Sequence, residues 1–432
     1  GGDNYIGWHL NNGEGKSADY YSAVQFERIL YRPDYVHAYL DHSGDRKKVE
    51  DEIGHQFFDI NNIRSIVPPK INILSPSYGQ KFSDDTNALL NFSVDRNSID
   101  MLDYSVFINN IPVIPYSERM LKGEEKRSFI RKVHLPLLGQ KNRIRIEVFN
   151  GTSMGVAESI LYKDILKTAQ FPGNLYLLAV GVNNFKNMPV DNLSYAASDA
   201  MNLAEFFNKN MGQFKRIFTK VVSDYSETKP SKADILNSLD FIKNARGEDT
   251  VIVFLASHGL SDPSGNYYFV PGDADAKDVK ILSELGLRGS TRSTANLPSL
   301  ISWEVFFDVL RSVPGKRLLV VDTCQAKNIS GTFDIHSLAK RSATSSFALL
   351  AASKGNEESQ EYPQGEQGLF TYALLKGLSG EGDRNKDGQI VLSELYDYVK
   401  YFVEENRNKE IGSQTPQLST PEELKGMILS AH

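Results

Sequence analysis

The chain has 432 residues, 41% of them hydrophobic and 24% charged, which excludes collagen-like, coiled-coil and disordered classes and leaves room for two or three folded units. Forty-eight basic residues against 54 acidic ones give a net charge of −6, which argues against nucleic acid as the main partner because neutralising phosphates takes a basic surface. Apolar runs such as LYLLAVGV at 175–182 fall far short of the roughly 20 residues a bilayer span needs, so no membrane partner is expected.

Residues 1–66 are rich in Tyr, His, Asn and Asp, with short amphipathic pieces at Ala23–Leu30 and Tyr35–Leu40 but no sustained period, and are expected to form an extended wrapping segment. The opening Gly1-Gly2-Asp3, with no initiator Met and no basic-then-apolar leader, reads as a mature or excised fragment. Pro68-Pro69 then punctuates the chain. Across 67–166, short strand patterns recur between turn-formers such as Ser75-Pro76, Asn109-Asn110 and Asn150-Gly151. Ile144, Ile146 and Val148 alternate with Arg143, Arg145 and Glu147, the signature of a half-buried strand. Six or seven such strands predict an immunoglobulin-like antiparallel β-sandwich, a spacer or docking module without chemistry of its own.

The texture changes over 172–432. Apolar strands LYLLAVGV, TVIVFLAS, KRLLVVD and SFALLAAS alternate with helical patterns at Ala196–Asn208, Lys232–Ala245, Ser302–Arg311 and Leu369–Leu378. Unbroken apolar strands linked by helices predict an α/β domain with a mostly parallel sheet covered on both faces. In such a sheet, reactive groups collect at the carboxyl ends of the strands. Two strands end that way: VIVFLA runs into Ser257-His258-Gly259, and RLLVV into Asp322-Thr323-Cys324. If the two strands are neighbours, an imidazole faces a thiol, the pairing that thiol nucleophilic catalysis requires. The N–H groups of Gly259 and Cys324 would form an oxyanion hole. Cys324 is the only cysteine, which excludes an intramolecular disulfide and a multi-thiolate zinc site, leaves a redox sensor without a resolving partner, and suits a reducing, cytoplasmic location.

Ser257-His258-Gly259 and Asp322-Thr323-Cys324, each closing an apolar strand, resemble the signatures of caspase-like cysteine peptidases (clan CD, peptidase family C14), especially the bacterial orthocaspase and metacaspase branch. The stretch LYLLAVGVNNF…LSYAASDAMNLAEFF is also similar to that branch, and the likeness covers about 174–410. It implies that Cys324 is the nucleophile and His258 the general acid/base. No third catalytic residue is identifiable in the sequence, and a backbone carbonyl is the candidate for orienting the ring. The likeness also implies a pocket built from Asp199 and Asp322 that takes Arg or Lys, so that the partner is a protein or peptide with a basic residue before the scissile bond. Gln325-Ala326 stands where the branch has His-Ser-Gly. The polar stretches Lys277–Ser299 and Ala326–Ser345 contain Arg288, Arg292, Lys340 and Arg341, which the resemblance marks as autocleavage positions. The competing reading is a catalytically inactive scaffold.

Residues 383–394 fit the twelve-position EF-hand calcium loop: Asp383, Asn385, Asp387, the Gln389 carbonyl and Glu394 would supply oxygens, and Gly388 the turn. Calcium is the one cofactor expected. No organic cofactor is.

Overall fold

The computed structural model describes residues 6–26, 33–53, 67–83, 88–137, 139–163, 173–187, 190–210, 214–261, 267–287, 297–325, 347–354 and 357–431. The chain divides into two compact units, one made of Gly1–Ile108 and Glu118–Lys167, the other of Asn109–Ser117 and Thr168–His432.

The first unit begins with a hairpin of Gly7–Leu10 against Asp19–Ser22, followed by helices Pro33–Asp41 and Arg46–Ile53. The opening stretch is therefore partly regular, not simply extended: the piece Tyr35–Leu40 lies within the first helix, Ala23–Phe26 of the other piece forms a 3-10 turn, and the second helix, Arg46–Ile53, is too short to show a period. An antiparallel sheet follows, with Ala88–Asp95 between Lys70–Ser75 and Ser128–Leu135. A second sheet places Lys141–Phe149 between Met154–Lys163 and Asp103–Ile108, antiparallel to both. Ala88, Leu90, Phe92 and Val94 are buried on alternate positions of one sheet, and Ile144, Ile146 and Val148 on the other. Tyr104 of the second sheet meets Phe92 and Phe129 of the first at ring-centroid distances of 6.3 and 5.4 Å, so the inner faces pack on each other.

In the second unit we number the strands β1 (Leu175–Gly181), β2 (Ile217–Ser223), β3 (Thr250–Ser261), β4 (Tyr267–Phe269), β5 (Ile301–Ser302), β6 (Lys316–Gln325) and β7 (Ala348–Ala351). They are followed by β8 (Glu361–Tyr362), β9 (Gln367–Gly368), β10 (Gln389–Val391), β11 (Gln417–Ser419) and β12 (Ile428–Ala431). The helices are α1 (Ala196–Lys209), α2 (Lys232–Ile242), α3 (Ala276–Leu287), α4 (Trp303–Ser312), α5 (Leu369–Lys376), α6 (Leu392–Asn406) and α7 (Glu422–Lys425). The central sheet runs β2-β1-β3-β6-β7-β11, parallel except for β11 at its edge, with β4 and then β5 added antiparallel beyond the end of β3. Every residue of β3 is buried, as a strand flanked on both faces must be. One core joins β1, β3, β6 and β7 to the apolar faces of α2 and α4, including Ile235, Leu239, Phe306 and Leu310. From β1 the chain crosses first to β2 and later to β3 on the other side, so the loop after β1 and the ends of β3 and β6 come together at a topological switch point.

Candidate active site

β3 and β6 are neighbours, and their register sets Ala256 opposite Asp322 and His258 opposite Cys324. The condition on which the imidazole–thiol pairing depended is thus met by the backbone. The His258 side chain is only 6% exposed. Its Nε2–H donates to the Asp191 carbonyl at 2.7 Å, and the Phe185 ring lies against it with centroids 4.7 Å apart. With the proton held on Nε2, the neutral ring carries its lone pair on Nδ1, which is buried without a hydrogen-bond partner among the described residues. Burial pushes the ring's pKa below the ordinary imidazole value, and the Asp191 carbonyl opposes that shift.

The carbonyl is held in place by the loop after β1. Asn183 donates through Nδ2 to the Ser194 carbonyl (2.9 Å), accepts the Leu193 N–H at its own carbonyl (2.9 Å), and accepts the Ala197 N–H at Oδ1 (2.7 Å). Asn192 Oδ1 accepts the Phe185 N–H at 3.0 Å. Beyond this loop, the Ser194 N–H and hydroxyl both donate to the Glu361 carboxylate of β8, at 2.7 and 2.9 Å.

Asp199 in the first turn of α1 and Asp322 near the end of β6 are 2% and 8% exposed. They converge on Gly368. An atom in the position of a Cβ there would lie 2.8 Å from one Asp199 oxygen and 3.2 Å from one Asp322 oxygen, so a side chain would push the carboxylates aside, whereas the bare backbone approaches the pair closely. The Gly368 N–H donates to Asp199 (3.1 Å), and the Ser359 and Thr371 hydroxyls donate to Asp322 (2.5 and 3.0 Å). Among the described residues, no Lys or Arg neutralises either carboxylate. Burial, reinforced at Asp199 by the neighbouring Asp322, pushes both carboxyls above the usual range.

Gly259 is crowded where a side chain would start. The Tyr267 hydroxyl of β4 occupies the space a Cβ would need, and it is hydrogen-bonded at 2.7 Å to Thr323 Oγ1, the residue before Cys324. The ends of β3, β4 and β6 are thereby tied together beside His258 and Cys324.

In the 383–394 loop, Asp383 accepts the N–H groups of Asp387 and Gly388, Asn385 that of Asp387, and Asp387 that of Gln389, while Glu394 accepts that of Val391. Lys386 and Gly388 take the positive φ of a tight loop. Among the described residues, no three His, Cys, Asp or Glu side chains gather into a group that could hold a metal, so the loop's carboxylates are not converged. Strand β10, inside the loop, pairs antiparallel with β12 at the C-terminal end of the described chain. Arg288, Arg292, Lys340 and Arg341 lie outside the described residues.

The model of the caspase domain matches residues 176–425. The chain belongs to the caspase-domain family. Among solved structures, this caspase-domain chain is similar to pro-sf-caspase-1, with 11% identity over 60% of this chain and 94% of that one and a TM-score of 0.33. It is also similar to the N-terminal Ig1-2 module of the Drosophila receptor protein tyrosine phosphatase DLAR, with 16% identity over 27% and 62% of the two chains and a TM-score of 0.17. No curated protein matches. Around the two strand ends of this caspase domain, sequence reasoning missed Asp191, Phe185, Tyr267, Ser359, Glu361, Gly368 and Thr371. Asp191 acts through its backbone carbonyl and Gly368 through its N–H, which no residue-type signal betrays, and the others come from loops with no motif of their own.

Proposed function

We propose that this caspase-domain protein is a cysteine endopeptidase that cleaves after Arg or Lys. The observation carrying this reading is the buried Asp199–Asp322 pair, which no Lys or Arg among the described residues neutralises, with Asp322 two residues before Cys324 on the same strand end. A guanidinium or ammonium entering there restores ionisation to carboxyls that burial disfavours, and a bidentate, charge-assisted grip on it is strong where water is excluded.

In the reaction, His258 Nδ1 takes the Cys324 proton, and the sulfur attacks the scissile carbonyl carbon. The N–H groups of Gly259 and Cys324 hold the oxyanion. As the intermediate collapses, the C–N bond breaks, the imidazolium returns its proton to the leaving amine, and a thioester remains. Water, deprotonated by His258, then cleaves the thioester and releases the new carboxyl terminus. The Asp191 carbonyl keeps the ring in the tautomer this sequence requires.

Fluorogenic peptides ending in Arg, Lys or Asp test the reading. Hydrolysis of the Arg and Lys peptides by the wild type, abolished in Cys324→Ala and in His258→Ala, is expected. Turnover of the Asp peptide contradicts the acidic pocket, and silence with all three contradicts the enzyme.

Autoprocessing after Lys340, Arg341, Arg288 or Arg292, the orthocaspase and metacaspase branch, and a cytoplasmic setting complete the proposal, with further N-terminal modules in the full protein. The 67–166 strands act as an immunoglobulin-like spacer or docking module. Calcium in the 383–394 loop would be held by Asp383, Asn385, Asp387, Glu394 and the Gln389 carbonyl, and would brace α6. No step of the reaction passes through it.

A further inference from the structure

The loop that orients His258 is held at Ser194 from two sides: Asn183 binds the Ser194 carbonyl from within the loop, and the Glu361 carboxylate binds Ser194 from outside it. The Asp191 carbonyl on Nε2 lies three residues before Ser194, and Ser194 gives both its N–H and its hydroxyl to the two oxygens of Glu361. Glu361 opens the β8–β9 hairpin, and that hairpin closes at Gly368, whose N–H binds Asp199. The imidazole and the acidic pair are therefore joined by a short path of hydrogen bonds and backbone: His258 to the Asp191 carbonyl, the chain to Ser194, Ser194 to Glu361, the hairpin to Gly368, and Gly368 to Asp199. A two-point contact to a carboxylate fixes direction as well as distance, which a single bond does not.

We propose that Glu361 is a positioning residue, which by clamping Ser194 holds the Asp191 carbonyl on His258 and sets the ring's orientation in register with the acidic pair. The inference rests on the proposed role of His258 as base, but not on the choice of Arg or Lys. Among the described side chains, Asp191 on the loop is the charged group that acts on the ring, and Cys324 stands opposite it in the strand register. Loosening the carbonyl removes an acceptor that favours the protonated ring while burial between the strands and Phe185 persists. The acid limb of activity then moves to lower pH.

Glu361→Ala, Glu361→Gln and the wild type are compared by peptide turnover and, without substrate, by the pH dependence of Cys324 alkylation with iodoacetamide. Glu361→Ala is expected to lower kcat about tenfold, since small misplacement of a catalytic group is costly, and to shift the acid limb down in both measurements. Glu361→Gln, whose amide oxygen still accepts the Ser194 N–H, recovers most of the loss. Melting temperatures should stay together, because the side chain is exposed. An acid limb that stays in place, a rise in KM alone, or a loss that glutamine fails to rescue overturns the inference. Were the wild type to cleave no basic peptide while Glu361→Ala still shifted alkylation, the basic-residue reading would fall and this one would stand.

Discussion

Replacing Asp199 by asparagine should move activity and stability in opposite directions. In the folded caspase domain, burial and Asp322 hold the Asp199 carboxyl above its unfolded value. A carboxyl raised in this way stabilises the fold only at low pH. The contribution is lost as pH rises from the unfolded value through the folded one, so at neutral pH the pair is a net cost. Asparagine keeps an oxygen for the Gly368 N–H, 3.1 Å away in the wild type, and removes the charge. A gain of about 1 kcal/mol, or roughly 2–4 °C in melting temperature for a unit of this size, is expected. The substrate side has the reverse sign. A hydrogen bond to a charged partner contributes about 1.5–3 kcal/mol, and the buried cation keeps only Asp322. Relief of carboxylate repulsion offsets part of this, leaving a net loss of about 2 kcal/mol, or roughly 30-fold in kcat/KM for Arg peptides. Calorimetry across pH 4–8 and steady-state kinetics on the same preparation check both signs. A variant that melts lower, or that cleaves Arg peptides as well as the wild type, refutes the reasoning.

The buried, neutral His258 makes a second prediction: the acid limb of kcat/KM for an Arg peptide should lie below the ordinary imidazole value of about 6.5, and a limb above it contradicts the burial argument. Tyr267→Phe removes the hydroxyl bonded to Thr323 at 2.7 Å while keeping the ring, so about a 1 kcal/mol loss of stability and several-fold slower turnover are expected by thermal melting and peptide assay. Calcium in large excess should raise the melting temperature of the wild type by binding the folded loop, and should leave Glu394→Gln nearly unmoved. Equal response of the two proteins removes calcium from the 383–394 loop.

What was legible in the sequence was what period and position encode. The strands from Leu175, Thr250 and Lys316 stand out because a doubly covered parallel strand is apolar throughout, and His258 and Cys324 because each follows such a run. The pairing of those two strands, with His258 opposite Cys324, is a fact of topology that composition does not hold. Asp199 and Asp322 were legible only through resemblance, being 123 positions apart in sequence; their convergence depends on Gly368, a residue that announces nothing by itself. Gly259 was noticed for its N–H, whereas the crowding that forbids a side chain there comes from Tyr267, on a different strand. Backbone contributions, the Asp191 carbonyl above all, are invisible until the chain is folded. The first 53 residues show the opposite limit: helices of nine and eight residues are too short to give a readable period.

The most direct test of the central claim is covalent trapping. A peptide whose terminal arginine carries an acyloxymethyl ketone is incubated with the intact chain, and the product is mapped by mass spectrometry. One adduct on Cys324, absent in His258→Ala and strongly reduced in Asp199→Asn, is the expected result, with the aspartyl analogue leaving the protein unmodified. An unlabelled Cys324, or labelling that ignores both substitutions and the choice of terminal residue, would contradict the assignment of this strand-end pair as the working centre of an arginine- and lysine-directed peptidase.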